Sequence, residues 1–101
     1  MANTYLTTLV EVTTTGSNVV VFTASSKSIV RDVMIYAKGT TPIVSVLFDD
    51  RTSQLVVAKT QIATDGTFRP FATPIAVPIA NAILVNTSAN LHVLITYVEF
   101  T

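Results

Sequence analysis

Residues with a branched Cβ dominate this sequence. Val, Ile and Thr account for 40 of its 101 residues. Branching at Cβ restricts rotamers in a helix, whereas the same side chains pack well on a pleated sheet. Long helix-forming side chains are scarce by comparison, with two Glu and three Lys in the whole chain. The composition therefore predicts an all-β protein.

Turn residues divide the sequence into eight or nine short strands. Gly, Pro, Asn and Asp recur at intervals of about 8–12 residues, which is typical of a sandwich or a barrel. A chain of 101 residues has the length of one domain. We therefore predict a single domain over residues 1–101, an antiparallel β-sandwich of jelly-roll type. The predicted strands are Tyr5–Thr13, Asn18–Ala24, Ser28–Ala37, Ile43–Asp49, Gln54–Ile62, Thr67–Ala72, Ile75–Ile79, Ala82–Asn86 and Leu91–Phe100.

Two segments are predicted to lie at sheet edges. Pro74 and Pro78 in "TPIAVPIA" cannot donate to a hydrogen-bond ladder, which indicates an edge strand or an extended arm. Residues 1–12 form either an edge strand or an arm swapped onto a neighbouring subunit, and the sequence leaves both open. Exposed edges invite pairing with another chain. We therefore expect one of these two segments to meet another chain.

Charged residues are few and evenly spread. They make up 12% of the chain, with a net charge of zero, whereas ordinary soluble domains have about 25%. The cations stand singly, which disfavours a nucleic-acid partner. The uncharged stretch between Arg69 and Glu99 is broken by prolines and polar residues, so it is not expected to span a membrane. The absence of cysteine and of a signal-peptide pattern favours a reducing compartment such as the cytoplasm.

Several strands have apolar residues on both faces. In "SIVRDVMIYA", strict alternation places Val30 with Met34 on one face and Ile29 with Val33 on the other. A strand with one face in water should alternate between apolar and polar residues. Ile43–Phe48 and Leu91–Val98 break this rule in the same way, so we expect a second subunit to cover their outer faces. The apolar residues predicted to form the interface are Phe68, Phe71, Ile75, Val77, Ile79 and Ile83.

The sequence predicts no catalytic residue, metal site or cofactor. His92 is the single histidine, and without a cysteine it has no second ligand for a transition metal, so a packed or interfacial role is favoured. Asp49, Asp50 and Asp65 lack the Asp-x-Asp-x-Asp-Gly spacing of a calcium loop, which favours ordinary turns. No nucleophile or acid–base pair is identifiable, so we do not expect an enzyme.

Three tyrosines leave a second kind of function open. Tyr5, Tyr36 and Tyr97 lie on predicted strands, and tyrosines on a small β-sandwich can stack on sugar rings. A module that binds surface glycans is therefore kept as an alternative. Tryptophan, which is the stronger stacking residue, is absent.

Two stretches resemble small virion proteins of tailed bacteriophages. They are "VVVFTASSKSIVRDVMIYAKGTTPIVSVLFDD" in the first half and "PIAVPIANAILVNTSANLHVLITYVEF" at the end. The resemblance implies a capsid decoration or cement protein, present in the virion and assembled in the host cytoplasm. Its partners would be copies of itself, with a trimer favoured, and the major capsid protein or another virion protein. A tail, neck or fibre component is the alternative within the same class.

Overall fold

The computed structural model describes residues 3–100, so Met1 and Ala2 of the predicted amino-terminal arm, together with Thr101, lie outside the described residues. Within residues 3–100 no helix is long and apolar enough to cross a membrane. Nine strands are present in the same range. They are β1 (Asn3–Val12), β2 (Val19–Thr23), β3 (Ser28–Tyr36), β4 (Ile43–Asp49), β5 (Gln54–Gln61), β6 (Thr67–Phe68), β7 (Ile75–Val77), β8 (Ala82–Thr87) and β9 (Leu91–Phe100).

The strands form two antiparallel sheets. The front sheet has the order β1-β9-β3, and both β6 and β7 pair with the far side of β3. The rear sheet has the order β2-β8-β4-β5. The pairs are nested, β1 with β9, β2 with β8 and β3 with β7, around the central hairpin of β4 and β5, which is the strand order of a jelly roll. The predicted all-β, jelly-roll-like sandwich is confirmed.

Prolines account for the two strands whose carboxyl ends fall two or more residues short of the prediction. The strand expected over Thr67–Ala72 ends at Phe68, two residues before Pro70, and the one expected over Ile75–Ile79 ends just before Pro78. A proline has no N–H to donate to a neighbouring strand, so the ladder stops near it. The predicted ranges Ile43–Asp49 and Leu91–Phe100 agree with the structure at both ends.

Apolar side chains from both sheets fill the space between them. Each fully buried aliphatic side chain contributes about 1.5–3 kcal/mol relative to an exposed one. These residues recur at every second position, as a pleated strand requires. The residues of the central rows with no exposed surface are Val33, Ile35, Val93 and Ile95 from the front sheet and Val44, Val46, Ile83 and Val85 from the rear sheet.

A bulge in β3 changes which residues face inward. The register with β9 shifts between Val30 and Asp32, so Arg31 is the extra residue of the strand. Val30 and Val33 are consequently both buried in the core, whereas strict alternation placed them on opposite faces. That part of the prediction is wrong, because alternation does not allow for an inserted residue. Met34 pairs with Leu94 on the outer face.

The two segments predicted at sheet edges do lie there. β1 pairs with β9 of the same chain along all ten of its residues, and its other side has no strand beside it among residues 3–100. β7 pairs with β3 over Ile75–Val77 and is likewise an edge strand. The further expectation, that one of these edges meets another chain, stays a prediction.

Candidate assembly surface

The structure places the six predicted interface residues in different surroundings. Val77 and Ile83 are fully buried in the core, so their side chains have no surface to offer a neighbour. Ile79 lies in the turn between β7 and β8 and is 62% exposed. Its side chain is therefore the most exposed of the six predicted interface residues. The three half-buried residues, which pack against the core, are Phe68, Phe71 and Ile75.

The outer face of the front sheet carries apolar side chains in cross-strand rows. Strand pairing sets two such rows, and both run from β1 across β9 to β3. We call this surface the front face, and its apolar residues are Leu9, Leu94 and Met34 in one row and Tyr5, Val98 and Ile29 in the other. At the β1 end of the rows, Leu9 is 65% and Tyr5 is 68% exposed. A polar row of Thr7, Thr96 and Asp32 separates the two apolar rows, and Val98 is only 6% exposed, so the exposed apolar side chains lie mainly on β1. Exposed apolar patches are typical of interaction sites.

Each row of the front face borders a shallow cavity. The cavity beside the Leu9 row has a volume of about 370 Å³, and Tyr36, Lys38 and His92 complete its lining. The cavity beside the Tyr5 row has a volume of about 420 Å³ and reaches Phe100. Both are open depressions in a sheet surface rather than enclosed pockets, so they suit a broad contact.

Charged groups lie at the margins of the front face. Glu11 Oε2 is 3.4 Å from His92 Nε2, and Arg69 Nε is 3.3 Å from Asp32 Oδ2. His92 Nδ1 is buried and makes no hydrogen bond to any residue of the described range. The Arg31 guanidinium carbon lies 5.9 Å from the centre of the Tyr5 ring. Exposed pairs of this kind contribute little to stability, so they leave the face free for other contacts.

The rear sheet also carries apolar side chains: those of its central strands are covered, whereas the edge strand β5 exposes Leu55 (66%), Val56 (51%) and Val57 (41%). Leu84 pairs with Leu47, and the two are 3% and 6% exposed. Together with Ala82 they form a small apolar cluster separate from the main core. Val20 and Val56 continue the row to the two sheet edges, where each is about half exposed.

A series of hydrogen bonds between side chains crosses the Leu84–Leu47 row. We call this series of bonds the amide chain. Asn86 Nδ2 donates to Asn18 Oδ1 at 2.9 Å, and Asn18 Nδ2 donates to Gln54 Oε1 at 2.9 Å. Gln54 Nε2 then donates to Asp49 Oδ2 at 3.3 Å. The register places Asn86 and Asp49 on opposite sides of the Leu84–Leu47 row, so the bonds pass over it. The subunit thus covers Leu47 with its own side chains, where sequence analysis had invoked a second subunit, whereas Ile43 at the start of the same strand is 49% exposed.

The three aspartates considered for calcium accept hydrogen bonds from backbone N–H groups of turns. Asp50 Oδ1 accepts from Thr52 at 2.9 Å and from Ser53 at 2.8 Å. These bonds, that from Ser53 first, hold the pKa of Asp50 below its ordinary value of 3.8. Asp49 and Asp65 accept from other backbone N–H groups at 2.7 and 2.9 Å. Residues 3–100 hold no group of three or more His, Cys, Asp and Glu side chains suited to a metal ion.

Comparison with known proteins supports a statement about the fold of this chain and nothing further. No family model matches the sequence, and no curated protein is similar to it. A subunit of Bacillus endospore appendages, described as a novel family of disulfide-linked pili, has a similar structure with a TM-score of 0.64 and 12% identity, over 96% of this chain and 87% of that one. A protein of the virus-like particle of the extra small virus of the prawn Macrobrachium rosenbergii aligns with a TM-score of 0.44 and 14% identity, over 100% and 82% of the two chains. The second similarity is too low to carry an argument.

Proposed function

We propose that this chain is a self-assembling structural protein of a virion, and specifically a decoration or cement protein of a phage capsid. The observation that carries the proposal is the front face, whose apolar rows are partly exposed and end in the open side chains of Leu9 and Tyr5 on β1. Burial of apolar area stabilises by about 25 cal/mol per Å² before the costs of association. A contact that covers this face would therefore favour assembly and remove an exposed apolar surface.

The pilus subunit supports the proposal at the level of the fold. In that protein the same kind of β-sandwich builds a disulfide-linked filament. The present 101 residues contain no cysteine, so contacts between copies of this chain would have to be non-covalent. Apolar sheet surfaces and strand edges are the groups that can supply such contacts.

The mass of the protein in solution tests the proposal. Light scattering of the purified chain should give a multiple of 10.8 kDa at micromolar concentration. Electron microscopy then separates the two virion roles: small closed oligomers such as trimers favour a decoration protein, and rings or filaments favour a tail, neck or fibre component. A uniform species at the monomer mass would contradict the proposal.

The exposed turn residue Ile79 tests the interface predicted from the sequence. Ile79→Lys should fold as the parent does, because the side chain is 62% exposed, and should lower either the oligomer mass or binding to capsid particles that lack this protein. Thr52→Lys, in an exposed turn elsewhere, is the control and should leave both unchanged. Val77→Asp cannot serve this purpose, because a carboxylate in the core would unfold the subunit. Normal assembly and normal particle binding of Ile79→Lys would remove this turn from the interface.

The glycan-binding alternative has one observation in its favour. Tyr5 and Tyr36 both lie on the outer side of the front sheet, and each lines one of its cavities. Binding to a glycan array that is lost in Tyr36→Ala would support this alternative. An array with no bound glycan would leave assembly as the function of the face.

A further inference from the structure

The front face sets the size of a contact between subunits. Its two longest strands, β1 and β9, have ten residues each. Ten residues span about 33 Å, and the three strands β1, β9 and β3 span about 14 Å, so the flat area of the face is roughly 460 Å². Stable protein interfaces bury about 800 Å² per partner, with a lower limit near 600 Å². A second copy laid flat on the face would therefore form a small contact, of the size expected for weak association.

Charge is distributed unevenly across the front face. Glu11 lies on β1, at one lateral margin. Lys38 follows β3 near the opposite margin, at the same end of the strands, and lines the cavity that Leu9 also lines. Arg69 lies beyond β3 on that same side, next to Met34. Glu11 and Lys38 thus lie at opposite margins of the same end of the face, where a second copy of the same face can complement them. The rest of the face has no such separation of charge, because Arg31 reaches Tyr5 on β1 and Arg69 is paired with Asp32.

Two-fold symmetry decides how two such faces can meet. A two-fold axis parallel to the strands lays the β1 margin of one copy over the β3 margin of the other, so Glu11 faces Lys38 of the other copy, twice per contact. A two-fold axis across the strands instead lays Lys38 over the opposite end of β3, which begins after Lys27. Like charges that face each other oppose association, whereas opposite charges favour it. The charges therefore select the axis parallel to the strands.

We infer that a second copy of this chain packs its front face against the first, sheet on sheet, about a two-fold axis parallel to β9. This inference rests on the self-assembly proposed above and specifies the surface and the symmetry. Leu94, on the central strand, faces its own equivalent, and Leu9 faces Met34 of the other copy. Sheets packed in this way keep their strands within about 30° of each other. The Leu94 row and the Val98 row flank the polar row of Thr7, Thr96 and Asp32, so the contact would combine apolar and polar rows, with charged pairs at its margins.

A single charge at the exposed end of the Leu9 row tests the surface. Leu9→Lys should fold normally, because the side chain is 65% exposed, and should halve the mass measured by light scattering. Val56→Lys is the matched control, since Val56 is also exposed, at 51%, but belongs to the rear sheet. A parent chain that is monomeric contradicts the proposed function itself. A parent oligomer that keeps its full mass in Leu9→Lys contradicts only the present inference.

An exchange of charges tests the symmetry. Glu11→Lys and Lys38→Glu should each raise the dissociation constant of the contact about tenfold, since each change creates two repulsive pairs. The double variant restores both pairs with reversed sign, so it should recover most of the affinity. A double variant that binds more weakly than either single variant would exclude the axis parallel to the strands.

Cross-linking tests the same geometry independently of affinity. The 101 residues contain no cysteine, so one introduced thiol is the only reactive sulfur. Packed sheets lie about 10 Å apart, which exceeds the span of a disulfide but suits a short bis-maleimide. Leu94→Cys should be linked to its equivalent in high yield and Val56→Cys should not. Equal yields at the two positions would overturn the inference.

Discussion

The two outer faces of this sandwich carry similar rows of apolar side chains, but these side chains differ in how far they are exposed to solvent. On the rear sheet, Leu47 and Leu84 lie beneath the amide chain and are almost inaccessible to solvent. On the front sheet, Leu9 and Leu94 form an equivalent cross-strand pair, in which Leu9 is 65% exposed and Leu94 is half-buried, and a cavity opens beside them. Apolar residues on an outer face therefore do not by themselves indicate a partner. What indicates one is an apolar face that the subunit does not cover.

The largest expected effect comes from a charge beneath the amide chain. Leu84→Lys should prevent stable folding, because Leu84 is 3% exposed and an unpaired buried ammonium costs several kcal/mol. The same change on the front face, Leu94→Lys, should leave a folded protein, because that side chain is only half-buried. Circular dichroism during heating measures both. If Leu84→Lys melts at the same temperature as the parent, the Leu84 side chain is not buried, and the two outer faces do not differ in exposure.

A smaller effect is expected when the amide chain is cut in the middle. Asn18→Ala removes its bonds to Asn86 and to Gln54. Each hydrogen bond contributes about 0.5–1.5 kcal/mol, so the free energy of unfolding in urea should fall by about 1–2 kcal/mol. Asn90→Ala is the matched control, since Asn90 is exposed and contributes a backbone oxygen to Thr40 Oγ1, which the substitution keeps. Equal stabilities of the two variants, measured at one protein concentration, would show that the amide chain contributes nothing.

The smallest expected effect concerns the turn that precedes Gln54. The pKa of Asp50 is lowered in the folded state, so its charge stabilises the fold above the ordinary value of 3.8, and this contribution is lost as the pH falls through the lowered pKa. Asp50→Asn should therefore be slightly less stable than the parent at pH 7, and the difference should shrink below pH 3.8. Melting temperatures across this range measure it. A difference that grows in acid would mean that the turn does not depend on this charge.

The strands were predictable because their signal is local. β-Branched residues and turn residues set the limits of Ile43–Asp49 and Leu91–Phe100 without reference to the rest of the chain. The bulge at Arg31 was not predictable in this way, because an inserted residue changes the pairing with β9 and leaves no mark in the composition of β3.

The assembly surface was only partly predictable. Val77 and Ile83 were predicted as interface residues, and the structure places both entirely in the core. The cover over the rear face depends on Asn18 and Asn86, which are 68 positions apart, so it can be recognised only once the sheet has formed. The exposure of the front face likewise depends on β1, β3 and β9, which come from both ends of the chain and meet only in the folded sheet.

The central position of β9 in the front sheet also determines when the molecule can fold. β9 is the last strand in chain order, and both β1 and β3 pair with it. During synthesis neither of them has its main neighbour until Leu91–Phe100 has left the ribosome. The front sheet can therefore be completed only after β9 has been synthesised, through pairings as distant in sequence as Asn3 with Phe100, and distant pairings make folding slow. Until that moment β1 has no partner and β3 can pair only with the short strands β6 and β7, which leaves both prone to aggregation. The rate of synthesis relative to folding should therefore govern the yield of soluble protein.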